Sequence, residues 1–211
     1  LNAKTKEEAA RLAGDLTALN QSRKALTEKG KEEAIRIIET TELKNDRVLV
    51  VYLPDCHESL AGIIAGRIRE KYHRPAFVLT GGETSAKGSG RSIESYSMYE
   101  ELVKCADLMI QFGGHPMAAG LSIEEKNIEE FRRRLNVNCT LTDEELRPKI
   151  VIDVPMPVSY ITKELVEQIS LLEPFGKGNT KPVFAQKNLR VLDHSIIGKN
   201  KNVVKLKLLD P

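Results

Sequence analysis

Two short stretches pair glycine with side chains able to hold a phosphate: Lys87-Gly88-Ser89-Gly90-Arg91-Ser92 and Gly113-Gly114-His115-Pro116-Met117-Ala118-Ala119-Gly120. In the first, the planar fork of Arg91 fits a phosphate bidentately, and the Ser89 and Ser92 hydroxyls can donate to the same oxyanion. In the second, Gly113 and Gly114 permit dihedrals closed to other residues and leave their N–H groups approachable, while Pro116 fixes the turn. His115 then stands on a rigid corner with a ring that can donate to a phosphate or exchange a proton near neutral pH. Taken singly, each stretch is first of all a glycine turn. Taken together, they point to a site for a phosphodiester or a nucleotide.

Metal-ligating and nucleotide-cradling patterns are missing from this sequence. The four histidines (His57, His73, His115 and His194) are scattered, with no HExxH, HxH or DxD spacing. The glycine spacing after Lys87 does not make a phosphate-binding P-loop either. Cys56, Cys105 and Cys139 are widely spaced with no CxxC, which fits free thiols of a reducing cytoplasm better than a disulfide framework or a zinc site. With 41% hydrophobic and 29% charged residues, the composition is that of a globular chain, and no apolar run approaches a membrane span. The opening Leu1-Asn2-Ala3-Lys4 has neither an initiator Met nor a signal-peptide pattern, which suggests a fragment of a longer protein.

The elements that must carry the two stretches read as follows. Residues 3–40 have helical periodicity, with Gly30 as a soft point. Residues 47–53 form a continuous apolar run, a buried strand. A loop, Asp55-Cys56-His57-Glu58-Ser59, leads into a helix to Tyr72 that Ser59 can cap, and Gly62, Ala65 and Gly66 give it a small-residue face. His57 reads as a loop or capping residue before it reads as a ligand. Residues 75–80 are the next strand, which makes a parallel strand–helix–strand crossover. A strand at 86–93, a helix at 98–105, the GGHP turn, a strand at 117–123 packed against the first two, and a helix around Phe131 follow. On that last helix, Arg132, Arg133 and Arg134 point in different directions and read as a solvated face. Residues 139–148 look like a linker. Beyond it, a strand at 149–154, a helix at 162–172 and short strands near 183–185, 189–192 and 203–209 suggest a small barrel of the oligonucleotide-binding type.

Charge supports that second module as a polyanion binder. From Pro174 to Leu209 there are eight basic residues against the single acid Asp193. Such an excess suits a phosphate backbone through counterion release; with aromatic and glycine residues interleaved nearby, that reading stands ahead of a lysine-rich edge that resists sheet aggregation. Lys177, Lys187, Lys199, Lys205 and Lys207 are the candidate contacts.

GGHPMAAG, KGSGRS and the run HESLAGIIAGRIREKYHRPAFVLT resemble the DHH-associated domain of the DHH phosphoesterase superfamily. The flanking sequence, including PFGKGN and PVF, resembles the RecJ family of single-stranded-DNA-specific exonucleases within it. The resemblance implies an α/β fold, a mixed sheet with flanking helices, followed by a partial OB-like β-barrel. It divides the chain into a connecting helix over 1–45, the DHH-associated domain over 46–138, a linker over 139–148 and a nucleic-acid-binding domain over 149–211 that stops before a barrel could close. It implies a 5′-3′ exonuclease of DNA repair and recombination, cytoplasmic, whose Mn2+ or Mg2+ ions sit in an N-terminal DHH domain absent here. On that reading this chain grips single-stranded DNA and does not cut alone. Ser89, Gly90, Arg91, Ser92, Gly113, Gly114 and His115 bind phosphates, His115 assists at the scissile group, His57 contributes, and Arg23, on its pattern alone a solvated helix arginine, projects toward the cleft from the connecting helix. A DHH-type phosphodiesterase acting on short oligonucleotides or cyclic dinucleotides, or a non-catalytic nucleic-acid-binding module, is the alternative.

Overall fold

The computed structural model describes residues 2–176 and 178–209, which separate into two compact units with the division after Pro148. The first unit opens with α1 (Lys6–Thr40), capped by Thr5, whose side chain accepts from the Glu8 N–H. Gly30 does not soften this helix. It marks the place where the Ile64 side chain comes closest, since a Cβ there would sit 2.6 Å from Ile64 Cδ1. Then come β1 (Leu49–Leu53), α2 (Glu58–Tyr72), β2 (Ala76–Thr80), β3 (Ala86–Arg91), α3 (Met98–Val103), β4 (Met109–His115), β5 (Ala118–Ile123) and α4 (Ile128–Asn138).

The five strands form one mixed sheet in the order β1-β2-β3-β5-β4, with β1 and β2 parallel through the α2 crossover and the other pairs antiparallel. β5 therefore packs between β3 and β4, not against the first two strands. Once β2–β3 runs antiparallel, the chain reaches the far edge through α3 and returns inward as a β4–β5 hairpin.

Strand alternation divides the unit into two cores, one on each face of the sheet. Leu49, Val51, Ala76 and Val78 pack under α1 and α2, with Ala34, Ile38, Ile64 and Ile68 among the buried partners. Val48, Val50, Phe77, Leu79, Leu121 and Ile123 face the other way, toward Phe131 and Leu135 of α4. Gly88 and Gly90 belong to this second face. A Cβ on Gly90 would lie 2.6 Å from Phe77 Cε1 and from Met98 Sδ. KGSGRS is thus an interior strand rather than a corner, and its glycines admit neighbouring side chains.

The arginines of α4 are committed to carboxylates. Arg132 bonds Asp46 ahead of β1, Arg133 bonds Glu130, and Arg134 bonds Glu130 and Asp107. Hydrogen bonds from Arg133 and then Arg134 hold the Glu130 carboxyl at about 2. Arg132 and Asp46 are mostly shielded from solvent, so that pair ties α4 to the sheet instead of lying on a solvated face.

The second unit contains a short parallel pair, β6 (Val154–Pro155) with β7 (Phe184–Ala185), then α5 (Lys163–Ser170), and a hairpin of β8 (Arg190–Ile197) and β9 (Val203–Leu209). The segment before β6 is largely irregular, and Pro155 and Pro157 keep β6 itself short. β8 runs five residues past the end expected from its sequence. Among the described residues the strands do not close into a barrel, and the hairpin's apolar residues are exposed.

Gly90→Ala should lower the unfolding free energy by about 1–3 kcal/mol, the cost of overpacking. Gly113→Ala, with nothing within 4 Å of the new Cβ, should stay within about 0.5 kcal/mol of the parent. Urea melts of both variants check this, and equal losses would contradict the assignment of faces.

Candidate phosphate-binding site

The antiparallel register of β3, β5 and β4 sets out three transverse rows on the face that α2 overhangs. Arg91 lies opposite Ala118, which lies opposite His115; Ser89, Gly120 and Gly113 form the next row; Lys87, Ser122 and Gln111 form the third. Residues paired in this way project to one side of a sheet. Arg91 and His115 therefore share a face, with their Cα atoms two strand spacings apart, about 10 Å.

Each row has a distinct local cause. On this side α1 lies against β1 and α2 against β2 and β3, and neither helix packs closely on β5 or β4. Gly62 and Gly66 face Arg91: a Cβ on Gly62 would come 2.8 Å from Arg91 Nη2, and one on Gly66 would come 4.0 Å from its Cγ. The small-residue face expected to bring α2 close to the sheet thus also makes room for the Arg91 side chain. Arg91 Nη1 donates to the Gly90 carbonyl at 2.8 Å. No carboxylate pairs with Arg91 among the described residues, so its remaining donors are uncommitted.

His115 ends β4, exposed, one residue before the two-residue turn Pro116-Met117. The glycines before it lie in the strand rather than in the turn. Gly114 has φ +152° and faces the core side, where a Cβ would meet the Ala118 carbonyl at 2.4 Å, so only glycine fits. Gly113 and Gly120 lie on the open side and leave bare backbone between Ser89 and the edge of the sheet. A cleft of about 480 Å³ lies over this floor, reached by Lys87, Ser89, Gln111 and Ser122, with Glu58 and Ser59 of α2 on its other wall. Arg91 and His115 stand beside that cleft and do not line it.

Four expected site residues fall elsewhere. Gly90 faces the core. Ser92 is buried, and its hydroxyl donates to the Tyr96 carbonyl at 2.6 Å, so it has no proton left for a phosphate. His57 is the N-cap of α2 in place of Ser59; its Nδ1 accepts from the Ser59 N–H at 3.2 Å and lies 2.8 Å from the Ser59 hydroxyl. Arg23 bonds Asn20 at 2.9 Å on a stretch of α1 where no side chain is buried before Ala34, about 16 Å further along the helix. The structure brings neither His57 nor Arg23 to the rows. Sequence reading missed Gln111 and Ser122, whose place follows only from the hairpin register.

In the second unit, Lys205 and Lys207 project to one face of the β8–β9 hairpin with Arg190, and Val204, Leu206 and Leu208 project to the other. Lys187 and Lys199 are exposed in the loop before β8 and in the hairpin turn. Lys177 lies outside the described residues.

Among the described residues, no group of three or more His, Cys, Asp or Glu side chains could hold a metal ion. The residues present do not fit a divalent-ion centre. Burial pushes the Cys56, Cys105 and Cys139 thiols up, away from thiolate chemistry. No helix among the described residues is long and apolar enough to cross a membrane.

Residues 45–139 match the DHHA1 domain and residues 152–211 match the RecJ OB domain. The single-stranded-DNA-specific exonuclease RecJ of Bacillus subtilis is 36% identical over 203 residues, which is 94% of this chain and 26% of that protein. Two crystal structures of RecJ from Thermus thermophilus, one in complex with Mg2+ and one with Mn2+, superpose with TM-scores of 0.74 and 0.75 at 26% identity. Each covers 98% of this chain, which corresponds to 32% and 30% of the solved chains. The chain thus spans about a quarter to a third of the length of such relatives.

Gly62→Ala should leave stability nearly unchanged, because the atom it displaces is the free end of the Arg91 side chain. It should nevertheless weaken binding of a 5′-phosphorylated oligonucleotide several-fold, since the guanidinium moves. Thermal melting and fluorescence anisotropy on one preparation check both halves; unchanged affinity would separate Arg91 from the site.

Proposed function

The chain belongs to the RecJ family as a C-terminal part, and on that premise we propose that it is the substrate-gripping portion of a single-stranded-DNA-specific 5′-3′ exonuclease of DNA repair and recombination. The observation that carries this reading is the shared face of Arg91 and His115, with Ser89 and open glycine backbone beside them. Arg91 and Ser89 hold a terminal phosphate through charge-assisted hydrogen bonds. His115, exposed on the same row, donates to a phosphate of the same ligand or to charge developing at the scissile group.

Hydrolysis itself is assigned to divalent ions, Mn2+ or Mg2+, held by an N-terminal DHH domain outside these residues. The T. thermophilus relatives in complex with Mg2+ and Mn2+ support metal use by the whole enzyme. This chain's own part is to bind and orient. The Lys205 and Lys207 face of the second unit adds affinity for the strand without reading its sequence, as a basic groove does. The whole enzyme is a cytoplasmic one on this reading.

Two measurements test the proposal. Arg91→Ala should abolish the preference for a 5′-phosphorylated over an unphosphorylated single strand; equal affinities in the parent chain would refute the phosphate role. Replacing both Lys205 and Lys207 by Ala should reduce the slope of log affinity against log salt by about 1.4, at about 0.7 per lost single-strand phosphate contact. An unchanged slope would remove that face from the DNA path.

A further inference from the structure

The cleft and the arginine do not coincide, and the offset has chemical content. Arg91 is anchored beside Gly62, whereas the cleft is walled by Glu58 and Ser59, about one turn earlier on α2. On the sheet side, the cation in the cleft is Lys87. It lies on the same face of β3 as Ser89 and Arg91, two and four residues away, about 6.6 Å and 13 Å along the strand. Its amine reaches the Ser122 hydroxyl at 3.3 Å, and Gln111 completes the row across β5. Lys87 is exposed and pairs with no carboxylate among the described residues.

We propose that Lys87, with Ser122 and Gln111, forms a second phosphate subsite that takes the phosphodiester next to the terminal phosphate held by Arg91 and Ser89. This rests on the phosphate-binding role proposed for Arg91. The two cations stand at opposite ends of the face, so each holds its own phosphate. The ammonium supplies charge, the Ser122 hydroxyl and the Gln111 amide supply directed donors, and bare Gly113 and Gly120 let the sugar-phosphate chain lie against backbone. Glu58, on the opposite wall, repels a phosphate that strays toward α2 and so favours the β3 side. The chain thereby measures two consecutive phosphates and sets the direction in which a strand leaves the terminal-phosphate site, from Arg91 toward Lys87.

Calorimetric titration with thymidine 5′-monophosphate and with the 5′-phosphorylated thymidine dinucleotide separates the two subsites. The parent chain should bind the dinucleotide about tenfold more tightly, the size of one added charge-assisted contact. Lys87→Ala should erase that advantage while leaving mononucleotide affinity and melting temperature unchanged, and Lys87→Arg should keep it. A Lys87→Ala chain that retains the dinucleotide advantage overturns the second subsite. If Arg91→Ala still weakens both nucleotides in that case, the proposed function survives alone. If the parent binds neither nucleotide, or Arg91→Ala changes neither affinity, the underlying reading fails and the second subsite with it.

Discussion

The antiparallel register of β3, β5 and β4 is the constraint on which the rest depends. A slip of one residue in either pairing would turn every side chain of a strand to the opposite face. Arg91 would then point into the packing around Phe77, or His115 would leave the face of Arg91. The register is held from the core side, where Leu121 packs against Gly88, and Phe77 and Met98 pack against Gly90. Gly114 fixes the hairpin end with a conformation closed to other residues. The polar rows are therefore positioned by apolar contacts on the reverse of the same strands.

A second dependency runs through α2. Its buried residues Leu60, Ala61, Ile64, Ala65 and Ile68 seat it beside α1 against β2 and β3, and Gly62 and Gly66 leave space over β3. Arg91 fills that space and meets a backbone carbonyl instead of a carboxylate. An acid in its place would neutralise the guanidinium before an anion arrived. The α4 arginines show the contrast: each is bound to Asp46, Asp107, Glu129 or Glu130 and spent on structure.

Much of this was legible in the sequence, and the failures have physical reasons. The α/β class followed from the apolar run at 47–53, the amphipathic stretch to Tyr72 and the second run at 75–80, because periodicity reports burial directly. Glycine was harder to read. It says that a Cβ is not tolerated and leaves open whether a turn, a φ or a neighbour forbids it. By its sequence KGSGRS reads as a corner, yet Gly88 and Gly90 serve Leu121, Phe77 and Met98, which come from distant parts of the chain. Ser92 looked equivalent to Ser89 until alternation and the Tyr96 carbonyl removed it. Gln111 and Ser122 carried no local signal, since only the β4–β5 pairing brings them level with Lys87. The mixed sheet and OB-like module agree with the likeness to T. thermophilus RecJ, which covers nearly the whole chain.

On the proposed function, Arg91 and His115 serve one ligand. The most direct test follows the Arg91 Nε–H and His115 ring signals by NMR while a 5′-phosphorylated thymidine oligonucleotide is titrated into the isotopically labelled chain. Both signals should move together with one midpoint concentration. Movement of one without the other, or two separate midpoints, would contradict a common site.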